Sequence, residues 1–176
     1  MVRAVTIDVQ KVLLVAMPNT PNCGPLPYVE KEIADLDGLI PNTVVKPFLQ
    51  TPKKADVIAG IREGQITHFA CHGQSSYPDP SQSRLLLRDW KVDPLTVADL
   101  TTLNLKYSQL AYLSACYAAD NRVFELLDEA IHLAGGCQLA GFPNVIGTLW
   151  KIHDIHSAKR CKGCLHQHVR RTGQGY

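Results

Sequence analysis

A thiol and an imidazole are the side chains of this 176-residue chain whose types and spacing could do chemistry together. His72-Gly73 follows the apolar run 66–71, and Cys116 follows the apolar run 110–115. Each run reads as a buried strand. Side chains just past the carboxyl ends of parallel strands gather at one edge of the sheet. Neighbouring strands about 4.8 Å apart would let the two meet across a cleft. A thiol near pKa ~8.5 is only a few per cent thiolate at neutral pH. An adjacent imidazole removes the proton and makes the sulfur a strong nucleophile. Gly73 lets a substrate approach the backbone closely. Its N–H and that of Cys116 could together hold a developing oxyanion. Spacing alone leaves a plainer reading open, because a Cys ending a buried strand also serves as a small hydrophobe. Cys71 competes for the nucleophile role, yet strand alternation turns it to the face opposite His72. His68 shares the face of His72 four residues deeper and reads as structural.

The elements that must position these groups alternate along the chain. The run 12–17 reads as a buried strand. Val29, Ile33, Leu36 and Ile40 recur at helical spacing and stop before Pro41. Val44-Val45 begins a second strand, and Thr51-Pro52 reads as an N-cap with proline at the first helical position. The helix that follows turns Val57, Ile58 and Ile61 inward and ends at Gly64. Residues 73–94 read as a long polar loop around Leu85-Leu86-Leu87. Phe124, Leu127, Ile131 and Ala134 mark a helix closed by Gly135-Gly136, and 144–150 reads as a last strand. This alternation predicts an α/β fold with a mostly parallel sheet.

Composition narrows the function classes. Lys plus Arg number 18 and Asp plus Glu 16, and 45% of residues are apolar. These are globular proportions. The charge is uneven: residues 151–176 carry six Lys/Arg and one Asp, whereas 1–150 carry twelve Lys/Arg and fifteen Asp/Glu. No basic stripe crosses the main body, which argues against a nucleic-acid partner. No apolar run reaches membrane-spanning length, and 12–17 is too short for a signal-peptide core. Six Cys in a chain of this size read as reduced thiols, and the expected location is cytoplasmic.

The same segments resemble a known family. His68-Phe69-Ala70-Cys71-His72-Gly73 and Leu110-Ala111-Tyr112-Leu113-Ser114-Ala115-Cys116 are similar to the two signature segments of the CHAT domain, a caspase-like cysteine peptidase family related to caspases and separase. The likeness continues through Leu95-Thr96-Val97-Ala98-Asp99-Leu100, Asp128-Glu129-Ala130-Ile131-His132-Leu133-Ala134, Gln138-Leu139-Ala140-Gly141-Phe142 and Val145-Ile146-Gly147-Thr148-Leu149-Trp150. Residues 18–32 resemble the usual start of the second half of the domain. The resemblance covers roughly 12–156 and is nearest to fungal members, where the domain often follows tetratricopeptide repeats. It implies a caspase-like three-layer α/β/α fold, incomplete at both ends. It also implies His72 as general base, Cys116 as nucleophile, and Gly73 with the Cys116 amide as oxyanion hole. The implied reaction is peptide-bond hydrolysis on a protein or peptide substrate, without a cofactor. Asp120, four residues past the nucleophile, would favour Lys or Arg at the cleaved position, or else cap the following helix. Arg84 stands where relatives often carry Gly and would alter the cleft entrance.

The tail reads differently. Cys161, Cys164, His166 and His168 have the chemistry of zinc ligands, but the two His are too close for a usual finger. The family has a helix such as VAKGVYTNM where this chain has RCKGCLHQHV. Suitable codons for the latter, read one base later, give the former. A reading-frame shift after Lys159 is therefore expected, with 1–159 the partial CHAT-like domain, 160–176 a basic tail and no metal site; a natural basic tail is the competing reading. Two further readings stay open for the whole chain. One is a catalytically inactive caspase-like signalling or scaffold module, regulated by a partner or by adjacent repeats. The other is a non-peptidase thiol or redox protein.

Overall fold

The computed structural model of the chain describes residues 9–76, 78–114 and 133–147. Five strands form one sheet: β1 (Val12–Ala16), β2 (Phe48–Gln50), β3 (Ile66–Ala70), β7 (Leu110–Leu113) and β8 (Asn144–Gly147). Their order is β2-β1-β3-β7-β8, and every pairing is parallel. The chain steps outward from β1 to β2, then returns past β1 to β3 and beyond. The order therefore reverses between β1 and β3, the place where open α/β sheets present a crevice at the strands' carboxyl ends.

Strand alternation explains the layers. Val12, Leu14, Ala16, Ile66, Ala70, Leu110 and Tyr112 face α1 (Val29–Leu39), whose Val29, Ile33 and Leu36 close that side with Ile40. Leu13, Val15, Phe69, Ala111 and Leu113 face the other way, against Val57 and Ile61 of α2 (Lys54–Glu63) and against Leu133, Cys137 and Ala140. Residues 133–140 are helical. Helices on both faces of a parallel sheet make the caspase-like α/β/α architecture. β1 and β3 are buried along their whole length, which is why they read as unbroken apolar runs rather than alternating ones.

Several local expectations change. The polar stretch 73–94 is not one loop. With the two residues after it, it builds a small antiparallel sheet from β4 (Gly73–Gln74), β5 (Arg84–Leu85) and β6 (Leu95–Thr96). Leu85, Leu86 and Leu87 are buried, and β6 runs into α3 (Val97–Thr101). Thr51-Pro52 does not cap α2. Thr51 sits at φ +50°, gives its N–H to Ala16 O and turns its hydroxyl back to Gln50 O. The N-cap is Lys53, whose N–H donates to the Asp56 carboxylate at 3.0 Å. Gly135-Gly136 does not close its helix, which runs on through 140. A Cβ at Gly136 would lie 3.1 Å from Val97, so this glycine allows close packing instead. The helix ends at Gly141, whose φ of +118° requires glycine. The second strand starts later than Val44-Val45: Val45 makes one parallel bridge to Lys11, and β2 begins after Pro47. Among the described residues, no helix is long and apolar enough to cross a membrane.

Candidate active site

His72 leaves the carboxyl end of β3 beside the crevice. Its side chain is buried, and its Nε2 lies 2.8 Å from the carbonyl oxygen of Gly24. A carbonyl only accepts, so Nε2 carries a proton, and in the neutral ring the lone pair is on Nδ1. One backbone oxygen thus fixes both ring orientation and tautomer, leaving Nδ1 as the basic atom. Gly24 comes from the segment between β1 and α1. That segment is held by Leu26 N–H on Pro18 O at 2.8 Å and by the Trp90 indole N–H on Pro21 O at 2.9 Å.

The backbone after the imidazole is equally fixed. Gly73 pairs with Leu85 across β4 and β5, and Leu86 N–H donates to His72 O at 2.8 Å. The half-buried Arg84 lies in β5 between Gln74 and Thr96, one ladder position from Gly73. The small sheet is tied to α2 through Lys54. The Lys54 N–H donates to Asp89, and its ammonium reaches Asp93 at 2.8 Å and Asp99 at 3.0 Å. Burial pulls the ammonium pKa down, but the bonds and charges of Asp93 and Asp99 outweigh it and hold Lys54 above its ordinary value. Burial likewise pushes Asp99 up, while bonds from Thr96 and Lys54 bring its carboxyl below its ordinary value.

Beneath His72, on the face of α1, lies a buried polar cluster. Glu32 is 2% exposed, His68 0% and Ser114 1%. The Ser114 hydroxyl donates to Glu32 Oε1 in a short hydrogen bond, and His68 Nε2 lies 3.1 Å from the same oxygen. The His68 ring stacks on Tyr112 with centroids 5.2 Å apart. His68 is fully buried within this cluster. Sequence reasoning did not pick out Glu32, Ser114 or Gly24. Glu32 had a signal, because it falls among Val29, Ile33 and Leu36 on the helix face that turns inward.

Cys71 points away from His72, into the core beside Leu13, Phe69 and Cys137. Burial pushes its thiol up to about 12, with the neighbouring Cys137 adding to the rise, and burial pushes Cys137 up to about 12 as well. A thiol of that kind is inert at neutral pH. Cys23, Cys71 and Cys137 are free. Cys116, Asp120 and the tail residues Cys161, Cys164, His166 and His168 lie outside the described residues.

The parallel sheet, its flanking helices and a tautomer-fixed histidine at the end of β3 define a caspase-like, peptidase-like α/β domain. The CHAT domain family model matches residues 2–174. The chain belongs to the CHAT domain family. No curated protein matches it.

Proposed function

We propose that the chain is a cysteine-type endopeptidase domain in which His72 and Cys116 act as base and nucleophile. One observation carries this reading. β3 and β7 are paired neighbours, and every pair from Ile66 with Leu110 to Phe69 with Leu113 joins positions 44 apart. The same 44 residues separate His72 from Cys116. Ser114 N–H still donates to Phe69 O at 2.9 Å, so the alignment persists past the last pair. On this proposal the same register, carried two residues further, would bring position 116 level with position 72.

The chemistry follows from the tautomer. His72 Nδ1 takes the Cys116 thiol proton, and the sulfur attacks the peptide carbonyl carbon. The Gly73 and Cys116 amides receive the oxyanion. The C–N bond breaks, His72 returns its proton to the leaving amine, and water then hydrolyses the thioester. Arg84 and Asp120 are proposed to line the substrate path. The substrate is a protein or peptide, and tetratricopeptide repeats in a longer chain are a fitting regulatory neighbour.

The test is hydrolysis of a fluorogenic peptide library by the purified chain, with intact-mass detection of an acyl-enzyme. Cleavage lost in both Cys116→Ala and His72→Ala, with the acyl adduct mapped to Cys116, is expected. Cleavage that survives Cys116→Ala overturns the assignment, and a folded chain that cleaves nothing and forms no adduct favours the inactive-module reading.

A further inference from the structure

We infer that Glu32 is a positioning residue for the catalytic pair: one buried carboxylate on α1 meets both β3, which leads to His72, and the Ser114 hydroxyl just past β7, two residues before Cys116. The inference rests on the dyad proposed above. Glu32 sits on the apolar face of α1, where Val29, Ile33 and Leu36 meet the sheet. A leucine there would bury without desolvating a charge, so the carboxylate is costly for packing alone. It does what leucine cannot. Its Oε1 accepts from the Ser114 hydroxyl at the end of β7 and lies 3.1 Å from His68 Nε2 in β3. Ser114 stands two residues before Cys116, and His68 four before His72. The third link is the segment that leads into α1. The segment entering the helix carries Gly24, whose carbonyl fixes the His72 tautomer at 2.8 Å. Glu32 thus meets both β3 and β7, on a helix whose leading segment carries the carbonyl that orients His72.

The geometry at stake is fine. A displacement of about 1 Å in a catalytic constellation can cost about a hundredfold in rate. Glu32→Gln keeps the volume and an acceptor oxygen but removes the carboxylate charge, so the contacts of Ser114 and His68, which share Oε1, weaken together. Ser114→Ala removes one donor and leaves His68 in place.

The experiment measures the rate of Cys116 alkylation by iodoacetamide from pH 5 to 9, by peptide mapping of the full chain. Wild type, Glu32→Gln, Ser114→Ala and His72→Ala are compared, with urea midpoints recorded in parallel. Positioning by Glu32 predicts at least a tenfold slower reaction at pH 7 in folded Glu32→Gln, with the titration midpoint moved toward that of a free thiol. A merely structural role lowers the urea midpoint and leaves the titration midpoint in place. That result in folded Glu32→Gln overturns the inference. If Glu32→Gln does not fold, Ser114→Ala carries the test: at least threefold slower alkylation is expected, and a wild-type profile overturns it. Identical profiles for wild type and His72→Ala remove the dyad, and this inference with it. A His72-dependent profile that Glu32→Gln leaves unchanged removes this inference alone.

Discussion

Treating the native chain with iodoacetamide at pH 7.5 tests whether Cys71 could serve as the nucleophile. Cys71 and Cys137 are 1% and 0% exposed, and their thiols are pushed up to about 12 from an ordinary 9.0. Three pH units mean about a thousandfold less thiolate than the same thiol holds in the unfolded chain. A more basic thiolate is a better nucleophile, with a Brønsted slope of about 0.4–0.5, which returns roughly twentyfold. Ionisation alone then slows each thiol by about fiftyfold, before access is counted. Burial adds to this, since reagent reaches either sulfur only through an opening of the core. Rates measured by peptide mapping, native against urea-unfolded, should therefore differ by more than about fiftyfold at both positions. Cys71→Ser makes the same point through stability. It places a hydroxyl in the apolar core and should cost about 1–3 kcal/mol in urea unfolding. Native labelling of Cys71 within about tenfold of its unfolded rate would refute the reasoning and return it to contention as nucleophile.

Other expected outcomes follow from the same contacts. Stability should fall on the alkaline side. The raised thiols of Cys71 and Cys137 contribute fully below their ordinary value of 9.0, and that contribution is lost as pH rises toward 12. The slope is at most about 1.4 kcal/mol per pH unit per thiol, read from urea midpoints between pH 8.5 and 11. The two glycine changes Gly141→Ala and Gly135→Ala should have opposite signs. A Cβ at Gly141 would sit 2.4 Å from Leu105 O at φ +118°, a cost of about 3 kcal/mol or more. Gly135 is helical with open space around it, so alanine should add about 0.5–1 kcal/mol in thermal unfolding. Lys54→Met should cost about 1 kcal/mol, mostly through Asp99, because water screens the more exposed Asp93. The acid limb should also change. The lowered Asp99 contributes above the ordinary carboxylate value and loses that contribution as pH falls through its folded-state value, and without Lys54 the contribution should be smaller and its loss complete at a higher pH.

The large sheet was legible because buried parallel strands write themselves as apolar runs. The runs at 12–17, 66–71 and 110–115 each contain a strand of the sheet, and alternation correctly turned Cys71 away from His72. The small sheet β4-β5-β6 was not legible. Its strands are two residues long and lie among Ser and Pro, too short for a period to show. Thr51 misled because its hydroxyl satisfies a neighbouring carbonyl rather than a helix N–H. At the site, His72 followed from residue type and position. Gly24 contributes a backbone oxygen, for which no side-chain pattern exists. Glu32 was visible in principle as a carboxylate inside an apolar helical stripe, a conflict between local pattern and residue type that marks functional sites.

The pH dependence of Cys116 alkylation, compared between the wild-type chain and His72→Ala, tests the dyad most directly. The account predicts a Cys116 titration midpoint below that of an ordinary thiol, which rises toward the ordinary value when the imidazole is removed. Superimposable profiles with an ordinary midpoint in both proteins would contradict it.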